Sequence, residues 1–163
     1  MPGASSDHFP AKELGCHHCG LNFATPALVD GLEALRTLLP PRPPLGGVAR
    51  PRPLYVADAC RCDEWNAKTP NAATHSQHRL GTAADVHSPG LSAAELAGLA
   101  LRVPAFANGG IGRADVQGFL HVDVRGIAAR WCYDSNGVVI NWYEPPAVAA
   151  TPAVAPDVLP RKA

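Results

Sequence analysis

No apolar run in this sequence approaches the roughly 20 residues that a membrane-spanning helix needs, so a transmembrane span is not expected. There is no excess of positive charge either. The 14 Lys and Arg balance the 14 Asp and Glu, and without clustered cations a phosphate backbone has little to hold. Nucleic acid is therefore not an expected partner. The opening stretch Met1-Pro2-Gly3-Ala4-Ser5-Ser6-Asp7 has neither the basic region nor the apolar core of a secretory leader. Nucleotide signatures are missing too. The segment Phe106-Ala107-Asn108-Gly109-Gly110-Ile111-Gly112 lacks the Lys-Ser/Thr ending of a phosphate loop and the spacing of a dinucleotide fingerprint, and reads as a strand end and turn bordering a cleft.

At 163 residues, one domain with its own core is the default. Proline concentrates between Pro40 and Pro53 and from Pro145 onward, which marks loop and tail rather than core. The expected division is a folded domain over 1–144 and a Pro/Ala-rich tail over 145–163 without fixed structure.

Local signals outline a small α+β domain, an antiparallel sheet with helices on one side. Thr25-Pro26 is a helix start, and Leu28, Leu32, Leu35 and Leu39 follow at helical spacing. Leu54-Tyr55-Val56-Ala57 reads as a buried strand. Ser92 with Glu95 three residues later is a capping box, opening a helix that Pro104 stops. Asn136-Gly137 is a hairpin turn between Trp131, Tyr133 and the run Val138 to Tyr143.

The chemistry concentrates between Thr74 and His87. Gly81 lets His78 arrive from a turn, while Asp85 projects from the extended run behind it. In Thr82 to His87, alternation puts Thr82, Ala84 and Val86 on one face and Ala83, Asp85 and His87 on the other. In Gly118 to Arg125 the same rule buries Leu120, Val122 and Val124 and presents Phe119, His121, Asp123 and Arg125. Two strands that each show His and Asp on a polar face invite a shared ion. Zinc accepts nitrogen and oxygen tetrahedrally, and three protein ligands with one open position is its catalytic pattern. His78, Asp85 and His121 are the expected ligands, with His87 a weaker competitor.

Ser76-Gln77-His78-Arg79-Leu80-Gly81-Thr82-Ala83-Ala84-Asp85 resembles the S-x-H-x-x-G-x-A-x-D signature of the peptidase M15 group, zinc D-Ala-D-Ala carboxypeptidases and murein endopeptidases. Gly109-Gly110-Ile111-Gly112, Gly118 to Gly126 and Ala129-Arg130-Trp131 look like the second half of the same family. The resemblance implies a hedgehog/DD-peptidase-like fold, one catalytic zinc ion and a peptidoglycan peptide as substrate. It also implies that Arg61 and Asn66, matching S-x-Y-R-x-x-x-x-N, hold that substrate alongside Ser76. Relatives carry a Glu three residues, or a His two residues, before the last ligand, where this chain has Gly118 and Phe119. Asp123 is the local substitute as general base, or orients His121; His75 is a further candidate for proton transfer. A monomer is expected, made in the cytoplasm and brought to the cell wall by a lysis system or a phage particle.

Two other readings remain. A zinc-stabilised binding domain of the same fold would lack catalysis, and the missing Glu or His supports it. Ser76 as a nucleophile is weaker, since no G-x-S-x-G elbow surrounds it.

Cys16-His17-His18-Cys19 fits a zinc knuckle or a disulfide-capable loop. A structural zinc site needs four ligands, and no second C-x-x-C supplies the rest, although Cys60, Cys62 and Cys132 are available. The expectation is a surface loop pinned by a disulfide or holding free thiols, not a second ion at Cys16/Cys19. His8, His17 and His18 are expected at the surface. The cysteine count of 5 leaves at least one unpaired, so the redox compartment stays open.

Overall fold

The computed structural model describes residues 2–45 and 48–142. The expected tail, 145–163, lies outside the described residues. One short helix, α1 (Ala11–Leu14), precedes α2 (Pro26–Thr37). The start of α2 follows the sequence closely: Thr25 Oγ1 accepts from the Leu28 N–H, and Pro26 occupies the first turn, where no backbone donor is required. Leu28, Leu32 and Leu35 are fully buried.

The Pro-rich stretch after α2 is more ordered than expected. Arg42–Leu45 (β1) and Val48–Arg50 (β2) pair antiparallel as an exposed two-stranded ribbon. It contributes little to the core, as its prolines foretold.

The main sheet has six strands: β3 (Tyr55–Asp58), β4 (Ala83–His87), β5 (Gly110–Ala114), β6 (Phe119–Asp123), β7 (Ala129–Tyr133) and β8 (Val139–Ile140), in the order β3-β4-β6-β5-β7-β8. Every neighbouring pair is antiparallel except β5 with β7, which run parallel. Between strands lie α3 (Asp63–Lys68), a 3-10 turn (Gln77–Leu80), α4 (Ala93–Ala100) and α5 (Pro104–Ala107).

Alternation sets which face is which. Ala84, Val86, Leu120, Val122 and Ile111 are fully buried in one cluster with Leu28, Leu32, Leu96 and Phe106 of the helices. Each large apolar side chain so buried contributes about 1.5–3 kcal/mol. A one-residue slip of β4 or β6 would send Asp85 or His121 into that cluster, so the register is strongly fixed. The opposite face is left to carry polar groups.

Three expectations need correction. The run Leu54 to Ala57 is not a buried strand: β3 lies at the sheet edge with Tyr55 exposed, and Leu54, just before it, is the residue that is buried. Pro104 ends one helix but begins another, because proline suits the first turn of α5. The Gly109–Gly112 region is not a flexible turn: Gly110 to Ala114 form a fully buried central strand. Its glycines answer to their neighbours, since a Cβ on Gly112 would lie 2.4 Å from the Trp131 ring. The expected hairpin at Asn136-Gly137 is present, with β7 and β8 paired antiparallel.

Candidate metal centre and cleft

The 3-10 turn delivers His78. Ser76 Oγ accepts from the His78 N–H at 3.4 Å, and Gly81 ends the turn at φ 66°, where a Cβ would strike the Phe23 carbonyl oxygen. His78 Nδ1 donates to the Ala59 carbonyl at 2.7 Å. A carbonyl only accepts, so Nδ1 carries the hydrogen and Nε2 presents its lone pair.

The sheet register delivers the other two groups. Asp85 of β4 stands directly opposite His121 of β6. His121 Nε2 faces Asp123 Oδ2 at 3.2 Å, which leaves Nδ1 turned toward Asp85. Asp85 Oδ2 is taken by Arg61 Nη2 at 2.9 Å, so Oδ1 is the oxygen that faces the imidazoles.

Three atoms therefore converge: His78 Nε2, His121 Nδ1 and Asp85 Oδ1, separated by 2.9, 3.2 and 3.3 Å. A tetrahedral zinc ion with bonds of about 2.0–2.1 Å would space its ligand atoms by about 3.3 Å. The donor set fits the ion in type as well as spacing. All three residues are buried, and their second nitrogens or oxygens are already committed to Ala59, Asp123 and Arg61. Lone pairs aimed at one point repel unless a proton or cation sits among them. Burial opposes both shifts, yet His78 and His121 hold the Asp85 carboxyl well below the usual carboxylate range, while Asp123 and Asp85 push the His121 imidazole up.

Behind the triad, Asp123 is fully buried and does not line the cleft. It accepts from Gly110 N (2.9 Å), from Arg125 N (3.1 Å) and from the Arg125 guanidinium at 2.5 Å. A Cβ on Gly110 would lie 2.1 Å from its Oδ2, so glycine is required there. Burial would raise the Asp123 carboxyl, but His121 and then Arg125 hold it far below its ordinary range.

The remaining expected residues fall in three places. Arg61 borders the cleft with Nε on Asp58 at 2.6 Å and Nη2 on Asp85. Asn66 is buried beneath the wall, its Nδ2 donating to the Ala73 carbonyl at 3.1 Å, and does not line the cleft. His75 and Ser76 both line it. His87 shares the Asp85 face but meets the Tyr55 ring at 5.5 Å, away from the triad.

The cleft has a volume of about 680 Å³ and runs from the loop at Thr69–Ala73 to Phe119, Trp131 and Tyr133. Sequence reading set Phe119 on the His121 face but gave Trp131 and Tyr133 no place in the site. Trp131 lies 5.2 Å from His121 and 5.4 Å below the Arg125 guanidinium, so it forms the wall beside the triad. The signal that could have found it is the parity of β7, which puts Trp131 on the His121 side.

Against this geometry, the chain belongs to the peptidase M15 family: a family model described as Peptidase M15 matches residues 11–123. The family makes it a peptidase, a hydrolase with a peptide substrate. The matched span contains all three converging residues and ends at Asp123; the Trp131 wall lies beyond it. A search of curated proteins and a search of solved structures returned no match.

Proposed function

We propose that this chain is a zinc-dependent peptidase that hydrolyses peptidoglycan stem peptides or cross-links, as a D-Ala-D-Ala carboxypeptidase or a murein endopeptidase. The observation that carries the reading is the triangle of His78 Nε2, His121 Nδ1 and Asp85 Oδ1 on the floor of an open cleft. Bound there, zinc supplies a Lewis acid that polarises a carbonyl and acidifies a coordinated water.

This chain's own residues do the rest. His78, Asp85 and His121 hold the ion. Asp123, fully buried behind His121 and outside the cleft, orients that imidazole and does not reach a water in the cleft. Arg61 fixes which oxygen Asp85 presents, and its place on the cleft wall suits it to meet a substrate carboxylate as well. Asn66 supports the wall through Ala73 rather than touching substrate. Ser76 shapes the entrance by capping the turn that carries His78. Proton transfer falls to His75, among the described residues the one cleft-lining imidazole outside the triad.

The test is a muropeptide digest with product analysis. Released D-Ala identifies a carboxypeptidase and split cross-links an endopeptidase; His75→Gln is expected to keep its zinc and lose most turnover. Zinc-loaded protein that releases nothing from either substrate would instead support a binding domain. The reading behind that outcome has one observation in its favour: Gly118 and Phe119 offer no base before His121.

A further inference from the structure

Four side chains gather at a place the peptidase reading does not use. Cys16 and Cys19 come from the loop after α1, and Cys62 from the start of α3. Their sulfurs lie within 4.8 Å of one another, and none is in a disulfide. His18 stands beside them with Nδ1 3.5 Å from Cys62 Sγ. We propose that Cys16, Cys19, Cys62 and His18 form a second, structural zinc site of the Cys3His type.

The Cys62–His18 spacing matches the ion, and the three sulfurs lie within reach of one. Zinc bonds of about 2.3 Å to sulfur and about 2.0 Å to nitrogen place tetrahedral neighbours about 3.5 Å apart for N···S and about 3.8 Å for S···S. The imidazole is held beside Cys62. Its plane stacks on Trp65 at 6°, with ring centroids 6.4 Å apart, and its far nitrogen, Nε2, faces Glu64 Oε1 at 3.6 Å. A carboxylate behind a ligating histidine fixes its tautomer and strengthens it as a donor, so Nδ1 keeps a lone pair for the ion.

The sulfurs are prepared as well. The Cys62 N–H points at Cys16 Sγ at 3.3 Å and the Trp65 N–H at Cys62 Sγ at 3.4 Å, donors that favour thiolates. A disulfide would consume two sulfurs and leave the third, with its oriented imidazole, without a role. Four protein ligands close the coordination shell, which is the structural pattern and not the catalytic one. The other two cysteines take no part: Cys60 Sγ accepts from the Phe23 N–H, and Cys132 is buried in β7.

Such an ion ties the N-terminal arm to the connection between β3 and α3. That connection carries Arg61, which grips Asp85. The site would therefore hold one wall of the cleft in place from outside it.

Cobalt substitution of the full chain tests this. Thiolate ligands give Co2+ an intense near-ultraviolet charge-transfer band that a His2Asp site lacks. The band is expected in the wild type and in His78→Ala, and is expected to vanish in Cys19→Ser and Cys62→Ser. Cys19 is exposed, and serine at 62 keeps the α3 cap, so both variants should fold, as circular dichroism would show. Elemental analysis should find one ion fewer in each serine variant, while the ion that depends on His78 stays. The inference is overturned if the wild type shows no band, if the band disappears only with His78→Ala, or if zinc-purified protein carries a disulfide among these cysteines. A missing band or a disulfide among these cysteines leaves the peptidase site untouched, because its ion is read independently through the zinc content of His78→Ala.

Discussion

His121 and Trp131 lie with ring centroids 5.2 Å apart although β5 runs between their strands. Gly112 is the reason: it pairs with His121 on one side and with Trp131 on the other, and its missing side chain lets the indole lean across to the imidazole. Gly112→Ala sets a methyl 2.4 Å from that ring, against a central strand that cannot yield. The expected result is a displaced Trp131, read by its fluorescence, and zinc affinity lowered roughly 10-fold or more through His121. Unchanged fluorescence and affinity would mean that the indole does not brace the site.

Asp123 separates two roles. As the group that orients His121, its replacement in Asp123→Asn should weaken zinc binding by roughly 10- to 100-fold, with turnover largely restored at saturating zinc. A general base would behave the other way, with zinc retained at wild-type affinity and turnover lost. Isothermal titration with zinc, paired with a digest at high zinc, distinguishes them.

The capping box of α4 gives a stability prediction. Glu95 Oε2 accepts from Ser92 N and Ser92 Oγ, both at 2.8 Å, and the Ser92 backbone N–H is the main cause holding its carboxyl below the ordinary value. For a carboxyl depressed on folding, the stabilisation is complete above the unfolded value of about 4.3 and is lost as pH falls through the lower folded value. Ser92→Ala should cost about 1 kcal/mol near neutral pH. The stability gap between wild type and Glu95→Ala should narrow below about pH 4. Urea titrations across that range check it; a gap independent of pH would remove the charge from the explanation.

How much of this was legible in the chain depends on how local the cause is. His78, Asp85 and His121 were readable because a turn glycine and two alternating strands suffice to aim them. The helix starts at Thr25 and Ser92 were readable for the same reason, since a cap is decided within four residues. The glycine-rich strand was misread. Glycine weakens a strand in isolation, and what requires it here is Trp131 and Asp123, contributed by other strands. Pro104 shows a smaller version of the same limit, ending one helix while starting the next. Cys62 could not be placed beside Cys16 from spacing alone, because the whole of α2 and the β1–β2 ribbon intervene. Arg61 was singled out, but its hold on Asp58 and Asp85 depends on how β3 meets β4, where the register shifts.

The most direct test of the account is zinc content measured together with muropeptide turnover in wild type and His78→Ala. The variant is expected to lose the ion coordinated by His78, Asp85 and His121, and turnover with it, while its secondary structure survives. A His78→Ala protein that still digests murein at the wild-type rate would contradict the account, because the reaction would then not run through the ion these three residues are proposed to hold.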